Sequence, residues 1–395
     1  MHPGSPPDKS PILSGHPDWA ALRALFPTLR YKAYLASGSY GLLAKPVEAA
    51  LRLYLNDRLE KGVDWAGWGE RQKAVREAMA GLLNADADEI AVTTSASAGI
   101  NSLASGLDFS DPRNKVVVSN LEFPTGAQIW HAQTSRGAVV EHAPEAADGT
   151  MPLEHFDRLI DERTKLVQIT HVCYRNGAKI DVPGVVRLAH ERGALVLLDC
   201  FQSVGAVDID VGALGVDFAV GGMLKYLLGT AGIGFLYVSR RHIAALTPTV
   251  SGWFAQADIA AMDIFANKPS PTARRFETGT PPVPNCYAAE AGIRLIRDTG
   301  VPAIEARIRE LTGEAMDRLT AAGCTLATPR DDARRGPQVA IRSKDAAAMT
   351  ERLAARGVVV SWREDKVRAM FHAYNNGADI NALVEGLTAN TDLLA

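Results

Sequence analysis

Residues 199–238 read DCFQSVGAVDIDVGALGVDFAVGGMLKYLLGTAGIGFLYV, and the fold turns on how this run divides. It continues the apolar stretch ALVLL (194–198), which gives a strand ending at Asp199. VDFAVGG (216–222) and GIGFLYVS (232–239) are two further strands, separated by a segment that holds one lysine, Lys225. An ammonium left among such residues is costly unless it is paired or its pKa falls. A snorkelling side chain with its head in water meets that demand. So does a lysine that condenses with an aldehyde and gives up its charge.

Working outward, short apolar runs alternate with helical periods on the N-terminal side. EIAVTTS, KVVVSN and TKLVQITHV read as strands; ASAGINSLASGL, PTGAQIWHAQTS and VPGVVRLAHERG read as helices. This pattern predicts a mostly parallel sheet covered on both faces, with the antiparallel piece after Lys225 at an edge. Ahead of it come a short amphipathic helix (HPDWAALRALF), a Gly- and Pro-punctuated loop (YLASGSYGLLAKPV) and a helical stretch over roughly 46–83. Beyond the Pro- and Thr-rich segment FANKPSPTARRFETGTPPVPN, helices and short strands such as QVAIRS and VVVSWR predict an α+β domain. The expected organisation is a disordered arm over 1–17 and an N-terminal segment over 18–60 that packs with the small domain. A large cofactor-binding α/β domain follows over 61–285, and a smaller α+β domain over 286–395.

The chain's 395 residues suit two domains. Forty-two basic against 45 acidic residues leave a net charge of −3, so no basic field points to nucleic acid or an anionic membrane. No apolar run is long enough to span a bilayer, and the Pro-rich start lacks the apolar core of a signal peptide. Four widely spaced cysteines (Cys173, Cys200, Cys286, Cys324) show no metal-ligand spacing and fit a reducing compartment. The expected location is the cytoplasm.

Asp199 sits where open α/β sheets present residues to a ligand crevice, although a strand-end Asp also serves as a turn cap. Gln202 follows three residues on and Lys225 after one further strand. An acid followed by a lysine in this order suits pyridoxal phosphate: the carboxylate keeps a pyridine nitrogen protonated and the lysine forms a Schiff base. TTSASAG (93–99) runs from strand to helix and offers Ala96, Ser97 and free amides to an anion, while Ser in such a place can equally be only a cap.

On these residues the chain resembles the fold-type I pyridoxal-phosphate enzymes of the class V aminotransferase group, from about residue 31 to 385. That group includes kynureninases, cysteine desulfurases and isopenicillin N epimerase. The resemblance implies the aspartate-aminotransferase-like fold, Lys225 as the Schiff-base lysine, Asp199 on the ring nitrogen and Gln202 on the phenolic oxygen. It also implies a homodimer with shared sites, acting on a small amino-acid substrate, because FETGTPP resembles the loop whose Thr280 reaches a neighbouring subunit's phosphate. LEFPTG places Phe123 where kynureninases stack a phenylalanine on the cofactor, and SGWF nominates Trp253 for the substrate pocket. KVRAMFHAYNN carries Arg368 where the group binds the α-carboxylate. Tyr174 stands near the cofactor oxygen, Arg175 beside it meets substrate, and Ser39 and Tyr40 lie at the mouth. RRGPQV also resembles a kynureninase stretch, with no role assigned to Arg335.

Several positions depart from the pattern. Gly222, Met223 and Leu224 replace the hydroxyl and aromatic residues that relatives carry before the lysine, and Thr280 replaces a kynureninase asparagine. RGVVVSWREDKVR has no cysteine where a desulfurase keeps its nucleophile. The expected activity is a lyase or hydrolase cutting C–C or C–S bonds of a free α-amino acid, with an aminotransferase and then an epimerase as alternatives. A dinucleotide oxidoreductase lacks its glycine fingerprint, and a non-catalytic sensor is the remaining class.

Overall fold

The computed structural model describes residues 17–395; the arm expected over 1–17 therefore lies, apart from Pro17, outside the described residues. In chain order the strands are β1 (Ala33–Tyr34), β2 (Ile90–Thr93), β3 (Lys115–Ser119), β4 (Val139–Ala143), β5 (Thr164–Thr170) and β6 (Leu195–Asp199). They continue as β7 (Phe218–Gly222), β8 (Gly234–Val238), β9 (Gln338–Arg342), β10 (Val358–Val359), β11 (Ser361–Arg363) and β12 (Lys366–Met370).

Seven of these form one sheet in the order β2-β8-β7-β6-β5-β3-β4. All neighbours from β7 through β4 are parallel. β8 is antiparallel to both β7 and β2. The alternation along each strand divides the core in two. Leu197, Phe218, Val220 and Leu236 join Ile100 and Leu103 of the helix Ala96–Ser105 on one face. Val196, Leu198, Ala219 and Phe235 join Val185 and Ala189 of the helix Val182–Glu191 on the other. Burial on both faces is why these strands are continuous apolar runs.

Two local expectations are corrected. β8 is antiparallel as expected but is not an edge: β2 pairs along its outer side. All five of its residues are buried, as are all four of β2, which takes the edge in its place. The opposite edge is β4, a strand hidden in the sequence because Glu141 and His142 interrupt its apolar residues and most of it faces solvent. The helical stretch over 46–83 is two helices, Lys45–Lys61 and Trp65–Leu83. The first ends at Gly62, and Asp64 caps the second by accepting from the Gly67 amide.

A second, antiparallel sheet, β11-β12-β9, carries the C-terminal part. Its core joins Val339, Ile341, Val367 and Phe371 to Leu311, Met349, Leu353 and Leu383, and takes in Leu35 from the N-terminal segment. β1 pairs with β10, and Arg23 bonds both oxygens of the buried Asp379, at 2.8 and 3.1 Å. The large α/β unit with a mostly parallel sheet and the smaller α+β unit are thus as the sequence predicts. The helix Val283–Thr299 packs on Lys45–Lys61 and Trp65–Leu83 and sends Cys286, Ile293 and Ile296 into the large core.

The segment leading to Thr280 is fixed by Glu277. Its buried carboxylate accepts from Arg76 at 2.5 Å, Gln72 at 3.0 Å and the Val92 amide at 2.9 Å, tying the loop to β2. Removing it leaves three donors unpaired in a dry place. Glu277→Ala is expected to lower stability by about 3–5 kcal/mol in equilibrium denaturant unfolding. A loss below about 1 kcal/mol would show that Arg76 finds another acceptor.

Candidate active site

The carboxyl ends of β5, β6 and β7 lie side by side, and Asp199, the last residue of β6, is buried there. One of its oxygens accepts from the Phe201 amide at 2.9 Å. Burial raises its pKa, against the pull of that amide and of Lys225. Lys225 leaves the end of β7 after Met223 and Leu224, and its Nζ stands 4.2 Å from the centre of the Phe201 ring. Burial pushes the amine down to about 8; Asp199 opposes the fall and Arg368 adds to it. The lysine therefore gives up its proton far more readily than one in water, which raises its neutral, nucleophilic fraction.

Phe201 explains the missing residue before the lysine. A Cβ on Gly222 would lie 2.2 Å from that ring, so the aromatic occupies the room a hydroxyl side chain at 222 would need. The N-terminal loop closes over the same place. Gln202 Nε2 donates to the Gly38 carbonyl at 3.1 Å, and the Gly41 amide donates to the Leu224 carbonyl at 2.8 Å. A side chain at Gly41 would strike the Lys225 carbonyl. Tyr40 is 44% exposed, and its hydroxyl accepts from the Ala231 amide. Ser39 hydrogen-bonds only through its amide, to Ala36.

Two helix starts converge beside β7. Ser95, not Ser97, is the N-cap of Ala96–Ser105, accepting from the Ala98 amide. The amides of Ala96 and Ser97 thus lie ahead of the helix's own hydrogen bonds. Ser97 Oγ reaches Thr125 Oγ1 at 3.4 Å in the first turn of the helix Pro124–Ala132, whose N-cap is Phe123. In the loop after Lys225, Thr230 Oγ1 is buried without a partner. Such donors suit an anionic group.

On the remaining side, Arg368 of β12 is buried and donates from Nη1 to the Tyr174 carbonyl at 2.6 Å, while its Nε has no partner. Burial, and then Arg363, push its guanidinium down to about 10. The Tyr174 ring meets Phe123 edge-on at 5.1 Å, and Phe123 is 46% exposed. Of the residues expected at the site, then, Asp199, Gln202, Lys225, Arg368, Tyr174, Phe123, Ala96, Ser97 and Tyr40 are gathered at the carboxyl end of the large sheet.

Three others are not free to serve the site within one chain. Arg175 is engaged by Glu145 at 2.9 Å, Glu364 at 3.5 Å and the Asn120 carbonyl, so the guanidinium expected to meet substrate is already satisfied. Trp253 lies in an aromatic group with Trp65 and Phe254, at 5.7 and 4.6 Å. Thr280 is exposed in the loop before Val283–Thr299. Arg335 is buried among Thr312, the Arg330 carbonyl and Asp332, which is a structural role in the small unit.

Sequence reasoning passed over Glu122, whose only signal is an acid beside Phe123 at the end of a strand. It is buried and held by Ser119 at 3.0 Å and Gln168 at 2.9 Å; Gln168 also accepts from Trp130 Nε1. Burial, and then the nearby Asp199 carboxylate, push it up to about 8. His171, buried on Ser203 Oγ, is pushed by desolvation down to about 3 and stays neutral.

The fold has known counterparts. A C-DES mutant with glycine covalently linked to its pyridoxal phosphate cofactor aligns with a TM-score of 0.85 over 93% of this chain and 98% of that one, at 20% identity. The architecture is that of pyridoxal-phosphate enzymes, and the buried amine and anion-seeking donors fit that cofactor. Residues 66–383 match the family model described as Aminotransferase class-V, and the chain belongs to that family and uses pyridoxal phosphate. It is 33% identical over 369 residues to a Bacillus subtilis protein called uncharacterized aminotransferase YcbU, covering 93% of this chain and 97% of that one. It is 31% identical over 382 residues to a kynureninase of Deinococcus radiodurans, covering 91% and 90%.

The Glu122 shift makes a prediction. Its carboxyl keeps a proton in the folded state up to about 8, whereas the unfolded chain releases it near 4.5. Between those values the native state binds more protons, so its stability falls as pH rises. Denaturant midpoints measured from pH 5 to 8 should decline in the wild type and decline less in Glu122→Gln. Equal slopes would show that Glu122 ionises like an ordinary carboxylate.

Proposed function

We propose that this enzyme cleaves a free α-amino acid beyond Cα, as a lyase or hydrolase, with Lys225 as its central catalytic residue. The observation that carries the reading is the Lys225 amine, pushed toward neutrality on the Phe201 ring between Asp199 and Arg368. Bound pyridoxal phosphate supplies an aldehyde carbon to that amine and a ring that accepts the electron pair left at the substrate's Cα. Asp199 holds a proton on the ring nitrogen, and Gln202 has a second N–H for the phenolic oxygen. The Ala96 and Ser97 amides with the Ser97 hydroxyl take the phosphate, and Phe123 and Tyr174 cover the ring. Arg368 takes the α-carboxylate through the edge that has no partner in the protein. Lys225 would carry the Cα proton.

Cleavage is favoured by the kynureninase relative; transamination is the second reading, favoured by the name of the Bacillus subtilis relative. Inversion at Cα stands third. Persulfide chemistry is disfavoured because all four cysteines are buried, and burial raises the pKa of each thiol. Four unpaired thiols also fit the cytoplasm.

A homodimer with shared sites accounts for the outlying residues. Leu59 is 85% exposed, Ile264 85% and Phe265 93%, in the two segments that the Trp65–Trp253 contact joins. A second copy would cover them, with Thr280 reaching its phosphate and Trp253 lining its substrate pocket.

Two measurements test the reading. The purified protein should show a yellow cofactor band that borohydride converts to a covalent adduct, and Lys225→Ala should lose the adduct and about 10²–10⁴-fold of its turnover. A protein that stays colourless with added pyridoxal phosphate would leave Lys225 structural. Product analysis should show cleavage without an acceptor keto acid; turnover that requires one would make the enzyme an aminotransferase.

A further inference from the structure

The donors around Arg368 outnumber what one carboxylate can use. β11 and β12 pair with Ser361 opposite Arg368 and Arg363 opposite Lys366, and cross-strand partners share a face. Ser361, Arg363 and Arg368 therefore lie on the same face of one hairpin. Ser361 Oγ is buried without a partner, as is Arg368 Nε. The Arg363 guanidinium stands 6.0 Å from the centre of the Tyr174 ring, and Arg368 donates to the carbonyl of the same tyrosine. Two guanidinium groups thus flank one residue.

Among the described residues no carboxylate answers this charge, because those nearby are committed elsewhere. Glu364 pairs with Lys366 at 2.8 Å and Arg175 at 3.5 Å. Asp365 pairs with Lys366 at 2.5 Å and Arg342 at 2.6 Å, and Glu145 with Arg175 at 2.9 Å. Among the described residues Arg363 has no ion pair, and it disfavours the charge on Arg368. Like charges brought together without a counter-ion are a cost that a suitable ligand removes.

We propose that the substrate is an acidic α-amino acid, whose side-chain carboxylate is seated by Arg363 and Ser361 while Arg368 takes the α-carboxylate. The proposal rests on the reading of Arg368 given above. It separates this enzyme from one built for an aromatic side chain, which would leave Arg363 and Ser361 unanswered. Arg175 is excluded from the part by its own ion pairs.

Calorimetric titration of the pyridoxal-phosphate-loaded protein tests it, with L-aspartate and L-glutamate against L-asparagine and L-glutamine. At least one acid should bind about tenfold or more tighter than its amide. Arg363→Gln should bring that acid to the level of the amide, and Ser361→Ala should weaken the acid alone. Succinate, with two carboxylates and no amine, probes the guanidinium pair without calling on Lys225. It should bind better than succinamide, and Arg363→Gln should abolish the difference. Succinate binding without any amino-acid binding would keep the dianion site and overturn the amino-acid reading. Acids and succinate binding no better than their amides, or Arg363→Gln weakening acid and amide equally, would overturn the proposal.

Discussion

Everything at this site depends on keeping one amine dry. Lys225 has an aromatic ring beneath it and, among the described residues, no ion pair, and Asp199 restrains its loss of charge without cancelling it. A lysine in water is almost wholly protonated at neutral pH and a poor nucleophile. Burial changes that, and the sheet supplies the burial. β6 and β7 end side by side, so the residues just beyond them face each other across a floor that apolar neighbours seal from solvent. The N-terminal loop completes the seal by closing on Gln202 and on the backbone around Lys225.

The same floor explains a local departure from the family's pattern. With Phe201 placed under the amine, position 222 has no room for a side chain, and a hydroxyl there is exchanged for an aromatic surface. The donors left for an anion are then the starts of two helices and the buried hydroxyl of Thr230. A carboxyl pair tunes the other end. The Asp199 carboxylate disfavours the charge on Glu122, and burial disfavours the charge on both. A proton on Glu122, stabilised by burial, relieves the repulsion between them.

Much of this was legible in the sequence because it is written in local pattern. Doubly buried strands are mostly apolar, so β3, β5, β6, β7 and β8 stand out, and Asp199 and Lys225 stand out against them. β4 was not legible, since an edge strand with Glu141 and His142 has no period to show. Neither was the inner position of β8: its apolarity marks burial on both faces, but pairing partners are a matter of topology. The break at Gly62 was readable from Gly and the capping Asp64 and was overridden by the length of the helical pattern. Arg175 was misjudged for a different reason. Its chemistry suits a substrate carboxylate, but Glu145, 30 residues away, and Glu364, 189 residues away, reach it only in the folded chain.

That last contrast defines the mouth of the site. Four arginine or lysine side chains, Arg175, Arg363, Lys366 and Arg368, come together there from two parts of the chain. Two of them are neutralised by Glu145, Glu364 and Asp365. The two that remain are those facing Tyr174, one buried and one open to solvent. A buried guanidinium held by a single carbonyl is poorly satisfied, because five donors in a planar fork are matched best by a carboxylate. Hydration can satisfy the exposed one, so its effect on affinity depends on how far a bound substrate excludes water from β11. Recognition at this mouth is therefore set by which cations the protein leaves without an answer, more than by how many it carries.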